Sequence, residues 1–412
     1  MHLISLNIPD IFLKLWRGQL ACAHTDNIND WPWRIMVGEK WKEHGALVAA
    51  AHPYLPGSFD RTPRNPAFKV SSGYKAWEFL IWFYCLGPCL FYDTLPFNYW
   101  RHFCLGVSAF RLLMQEKISP EDIKVAHRRL LKFAVAFEEL YYQRRRDRLH
   151  FVRPSVHAVV HLALETARMG PLLIYSQWAI ERTIGNLGEE IKQDSNPYAN
   201  LARRGYRRTL TNTLLSIFPH LNPPPTIKGT FRDLGQEYYM LGAIRQKALD
   251  LSAQEATLVS ARLLAEGDTL GARAIYPWAR LKLPNGQISR ALWKENETSV
   301  VPRRYSRNVK VGTGRNREEG VALISRYGPP NPFLLRKSYG TYETREYRGM
   351  QDVCLVSAKD ILSVVMMAPD PIFPKYFPND ESRFRRYYLA EKPGLQVANI
   401  MRAEADDPNA DD

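Results

Sequence analysis

Long apolar runs are missing from this 412-residue sequence. The nearest candidate, Phe79 to Tyr92 (FLIWFYCLGPCLFY), is too short to cross a bilayer and is broken by Gly87-Pro88. It reads as a buried helix and its exit, so no membrane partner is expected. Cysteine is scarce and unpatterned. Cys22, Cys85, Cys89, Cys104 and Cys354 form an odd set without regular spacing. With no signal peptide in view, this excludes a disulfide-stapled secreted scaffold and points to a reducing compartment, nucleus or cytoplasm. The Cys85–Cys89 pair has no second Cys/His pair nearby and encloses Gly-Pro, so both read as small core residues rather than zinc ligands. Internal repeats are absent. Acid is in short supply too: the formal charge is +14, and residues 1–230 hold 29 Lys/Arg against 19 Asp/Glu, compared with 27 against 23 afterwards. A basic excess of this kind suits a polyanion such as DNA or RNA, and it equally suits plain solubility.

What is present is helical for more than half the chain. From residue 5 to about 220, large apolar residues recur every three or four positions, which predicts an all-α stretch. Ser119-Pro120-Glu121-Asp122 carries an N-cap, a proline at the first helical position and early acid, and it opens a helix to about Tyr142 with Ile123, Ala126, Leu130, Phe133 and Phe137 on one face. Asn196-Pro197 opens another, running towards Ile217 and stopped by Pro223-Pro224-Pro225. Pro53 to Pro66, with four prolines and a glycine, is a long loop. A further helical piece is expected over Asp233 to Leu264. The texture then changes: Ala279–Leu283 alternates, Pro284-Asn285-Gly286 is a hairpin turn, and Gln287 to Trp293 can return. Val321–Tyr327, Tyr342–Tyr347, Val353–Val356 and Ile361–Met367 supply further short strands. The expected fold class is α+β, with a mainly α-helical N-terminal region followed by a small antiparallel β domain, barrel or sandwich. The expected divisions are 1–150, 151–222, 223–268, 269–400 and a disordered acidic tail at 401–412.

Three groups of residues could carry chemistry. His157 and His161, four apart in SVHAVVHL, share a helix face at the spacing of helical metal sites. The zincin pattern would need Glu where Ala158 stands, and flanking Val156, Val159, Val160 and Leu162 favour packed, hydrogen-bonded imidazoles over ligands. Glu181 lies beside an apolar stripe of Trp178, Ile180, Ile184 and Leu187, and so near the core. A carboxylate there serves an ion pair, with Arg208 or Lys192 for example, or holds Mg²⁺ within a cluster of acids. Arg144, Arg145, Arg146 and Arg148 form one basic cluster, and Arg203, Arg204, Arg207 and Arg208 with Tyr206 form another. Both suit phosphate and strand recognition, or a solvated helix face.

Ordered segments extend these motifs to a resemblance. MHLISLNIPDIFLKLWRG, WKEHGALVAAAHPYLPGSFDRTPRNP, SSGYKAWEFLIWFYCLGP, FEELYYQRRRDRLHFVRPSVHAVVHL and SQWAIERTIGNLGEEI resemble CACTA-type (En/Spm-like) transposases of basidiomycete fungi, almost end to end. ARLKLPNGQISRALWKE, LISRYGPPNPFLLRKSYGT and YYLAEKPGLQVA are similar to the β module of those proteins. The resemblance implies an RNase H-like core, here incomplete, in which two Asp and one Glu bind two Mg or Mn ions. Residues 5 to about 150 would be the helical insertion, and Glu181 the third acid. His2 would match the His of an Asp-x-x-His motif whose Asp falls before residue 1. Asp10, Asp26, Asp30 and Asp60 sit at cap or loop positions that match nothing catalytic in the family. The expected function is therefore that of a transposon-derived fragment, incompetent in transposition alone and binding no metal itself. Its expected partners are DNA at transposon ends, a second copy or a full-length transposase. The alternatives are a host DNA-binding or chromatin-associated module, and a metal-dependent hydrolase built on His157, His161 and Glu181.

Overall fold

A computed structural model describes residues 2–70, 73–191, 195–222, 227–265, 274–297, 304–312 and 320–395. The expected tail at 401–412 and the triple-proline stop lie outside these residues. The chain is α+β, helical in its first half and antiparallel β towards its end. It divides into two units, one formed by Tyr175–Gly229 and the other by residues 2–174 together with residues 230–395.

In the larger unit the main helices are α1 (Ile8–Trp16), α2 (Gly38–Ala50), α3 (Ala76–Ile81), α4 (Phe97–Leu113), α5 (Pro120–Phe137), α6 (Pro154–Ala158) and α7 (Leu162–Met169). α5 starts where its cap predicts, the Ser119 hydroxyl accepting from the Asp122 N–H at 3.1 Å. It continues as a π-helical turn over Glu138–Tyr142, which carries it to the expected end. The core is aromatic. Phe12 sits among Phe103, Phe133, Phe137 and Tyr141 with centroids 5.8–6.4 Å apart in edge-on geometry, and Trp16 donates its indole N–H to the Tyr141 hydroxyl at 3.0 Å. Two histidines belong to this core. His44 accepts from the Trp82 indole at 2.9 Å, and burial pushes its pKa down to about 3. His102 stacks on Phe133 at 4.5 Å, and burial lowers it to about 4. Cys85, Cys89 and Cys104 are buried, free thiols.

Among the described residues the strands of this unit form four antiparallel hydrogen-bonded sheets. Strands β1 (Phe231–Gly235), β2 (Tyr238–Ile244), β3 (Trp278–Lys282) and β4 (Ile288–Arg290) make a meander. β5 (Val309–Val311) pairs with β10 (Ile361–Val364), and β6 (Val321–Ser325) with β9 (Val353–Ser357). β11 (Met366–Pro369), β12 (Arg386–Ala390), β8 (Thr344–Tyr347) and β7 (Tyr327–Pro330) form the fourth sheet in that order. The Pro284-Asn285-Gly286 turn joins β3 to β4 in the register Arg280↔Arg290, Leu281↔Ser289, with Gly286 at φ +77°. The return strand is shorter than expected, because Leu292–Asn296 turns helical.

The helix expected over Asp233–Leu264 is a correction: β1 and β2 form a hairpin there, and only Ala253–Ala265 is helical. Tyr238 and Leu281 from this hairpin and its neighbour bury against Leu283, Ile361 and Val364. Their tertiary partners outweigh the local helical period.

Helices and sheets share this unit. The Arg111 guanidinium donates to the carbonyls of Tyr84 (2.7 Å) and Thr341 (3.2 Å), Arg304 donates to Leu55 O at 2.7 Å, and the Tyr305 N–H donates to Pro53 O at 2.8 Å. The proline-rich loop is thus held by its own carbonyls. Buried Asp370 accepts from the Tyr342 hydroxyl at 2.8 Å and from the N–H groups of Ile372 and Phe373 at 3.0 Å.

Candidate nucleic-acid interface

The smaller unit is built on helices α8 (Trp178–Glu190) and α9 (Pro197–Ile217). α9 begins at Asn196-Pro197 as its sequence predicts, with proline supplying a first-turn residue that needs no N–H. It contains no acidic residue and four arginines. Arg208 forms an ion pair with Glu190 of α8, which ties the two helices together. Arg203 and Arg207 are exposed, Arg204 is half-buried, and Tyr206 and Tyr198 are 67% and 83% exposed. Arg203, Tyr206 and Arg207 stand at i, i+3 and i+4, so two arginines and one tyrosine share one side of the helix.

Glu181 sits in the first turn of α8 and is exposed, its N–H donating to Gln177 O at 2.9 Å. The position expected near the core is corrected. The stripe it was thought to border is itself open, with Ile180 and Ile184 61% and 58% exposed, so amphipathic spacing here does not translate into burial. His2 is exposed at the start of the larger unit's first helical turn.

The cluster at 144–148 divides. Arg144 and Arg146 are exposed. Arg148 is buried, its Nε and Nη2 donating to the two carboxylate oxygens of Asp26 at 2.7 and 2.6 Å, with its guanidinium 5.2 Å from the centre of the Trp33 ring. Arg145 donates to Asp147 at 2.7 Å and lies 3.2 Å from Asp26. Assigning Arg148 to phosphate contact is therefore corrected, and Arg145 is committed to carboxylates of its own chain. The cause is Asp26, a residue 122 positions away that no local pattern connects to the cluster. Hydrogen bonds from Arg148 hold the Asp26 carboxyl down at about 2.

His157 and His161 are also corrected. Both are exposed rather than packed among the valines, with their Nε2 atoms 3.1 Å apart. Val156, Val159 and Ala163 fill the buried side of the same segment. Among the described residues no group of three His, Cys, Asp or Glu side chains is placed to hold a metal ion. No helix of the described residues is long and apolar enough to cross a membrane.

No family model, curated protein or solved structure matches the chain.

Proposed function

We propose that the chain is a transposon-derived DNA-binding protein of the CACTA transposase type, with α9 as its principal contact to the phosphate backbone. The ordered sequence resemblance supports the family. The observation that carries DNA binding is α9 itself: an acid-free helix with Arg203, Tyr206 and Arg207 exposed on one side. Guanidinium groups pair with phosphate oxygens, and a phenol beside them can stack on a base or bond a phosphate.

Strand transfer is not part of the proposal. The family's RNase H-like site uses two Mg or Mn ions, and the donor set here does not fit them. Glu181 is the one acid matched to the family motif, it stands exposed on α8, and one carboxylate by itself cannot assemble a two-metal site. The proposed role is recognition of element ends, alone or together with a second copy or a full-length transposase.

Retention of duplex DNA by the purified protein, measured across a salt series, tests this. Binding should weaken with salt, and the triple variant Arg203→Ala/Arg204→Ala/Arg207→Ala should lower the log–log salt slope by roughly 2 to 3. Salt-independent retention, or a triple variant that binds like the parent, would overturn it. Equal affinity for element ends and scrambled duplex would favour the host-module reading instead.

A further inference from the structure

An exposed histidine pair occupies α6 and the turn after it. His157 lies in the last turn of α6, and His161 closes the 3₁₀ turn Val159–His161 that leads into α7. Beneath them Val156, Val159 and Ala163 are 3%, 0% and 1% exposed, so the backbone that presents the two rings is anchored in the core. The rings meet at 73° with Nε2 atoms 3.1 Å apart and open to solvent. At that distance one nitrogen offers a lone pair and the other a proton.

A metal can take its place when both imidazoles carry their proton on Nδ1, so that each neutral ring presents an Nε2 lone pair and no net proton is released. Imidazole nitrogens bind zinc at about 2.0–2.1 Å, and two such bonds closing a 3.1 Å base subtend about 100° at the metal. This falls between the octahedral and tetrahedral angles, so the separation of the two nitrogens already suits chelation. Ligand chemistry sets the class of ion. Two neutral nitrogen donors suit Zn²⁺, Ni²⁺ or Cu²⁺ and offer nothing to Mg²⁺, which asks for oxygen.

We infer that His157 and His161 form a two-histidine site for a borderline divalent transition metal, with water completing the coordination. Glu165 stands a further turn along the same face and is engaged by Arg168 at 3.1 Å, so the site's protein ligands are the two rings. The inference concerns nitrogen-loving ions and stands independently of the DNA reading.

Titrating ZnCl₂ or NiCl₂ into the full-length, untagged protein by calorimetry tests it. One equivalent should bind. His157→Ala and His161→Ala should each weaken that event by at least about tenfold, while MgCl₂ gives no event on the same residues. His150→Ala is the control, since its Nε2 already lies 2.7 Å from Ala21 O and it should bind metal like the parent. Because both ligands are exposed, the variants should keep the parent's circular dichroism and thermal midpoint, and His157→Gln provides a second variant of near-equal size. Absence of binding below about 1 mM would overturn the site. So would binding unchanged by either substitution, or lost equally in His150→Ala.

Discussion

Replacing Asp26 with asparagine is the sharpest way to separate structural from functional arginines. The Asp26 side chain is 2% exposed and that of Arg148 3%, and the two share paired N–H···O bonds of 2.6 and 2.7 Å. The Trp31 indole adds a third donor at 2.9 Å. These bonds, those from Arg148 first, bring the carboxyl from 3.8 to about 2 against the opposing effect of burial. Such a shift corresponds to roughly 2.5 kcal/mol at neutral pH. Breaking a fully buried pair costs about 3–5 kcal/mol for that same lost interaction, and the figure is smaller here because Arg148 keeps the Gln143 side-chain oxygen as an acceptor. A loss of roughly 2–4 kcal/mol is therefore expected for Asp26→Asn, and a similar loss for Arg148→Met.

The double variant should cost well below the sum of the two, because neither partner is then left unpaired. The pH dependence has a definite sign. The folded carboxyl titrates below the unfolded one, so its contribution is complete above about pH 4 and disappears as pH falls through about 2. Urea unfolding followed by tryptophan fluorescence measures all three variants. DNA retention per folded molecule should keep the parent's salt slope in Arg148→Met. A cost below about 0.5 kcal/mol for Asp26→Asn, within the range of ordinary surface changes, would refute the assignment of Arg148 to the fold.

Two further substitutions probe the core. Gly106 of α4 packs where an added Cβ would come within 2.7 and 2.8 Å of the Phe133 ring, which is itself stacked on His102, so Gly106→Ala should destabilise by about 1–3 kcal/mol despite the better helix propensity of alanine. A urea midpoint at or above the parent's would contradict this packing. Glu78 is fully buried and accepts from the N–H of Arg64 (3.1 Å) and Lys75 (2.9 Å) and from the Arg64 guanidinium (2.7 Å twice), so Glu78→Gln should cost roughly 2–4 kcal/mol and loosen the start of α3. Thermal melts within a degree of the parent would count against that role.

Local signals were legible in the sequence wherever neighbouring residues settle the backbone. The Ser119 cap, the Asn196-Pro197 start and the Pro284-Asn285-Gly286 hairpin each lie where their residues predict, because a capping bond, a first-turn proline and a left-handed glycine are each decided within four positions. The β1–β2 hairpin was not legible. Its residues repeat at a spacing compatible with a helix, and only the cluster with Leu283, Ile361 and Val364 selects the strand. The candidate site behaves in the same way. Runs of arginine can be read directly from the chain, but which of them meet solvent depends on distant carboxylates.

The amino-acid sequence by itself determined the succession of helices and then strands, the lack of a long apolar helix and the concentration of basic residues, since these follow from composition and short-range periodicity. Only the tertiary structure decided the rest: that Arg148 is withdrawn onto Asp26, that Arg203 and Arg207 stay open, that Glu181 is exposed, and that His157 and His161 meet at 3.1 Å. Each of those outcomes depends on burial, and burial is set by which remote segments pack together.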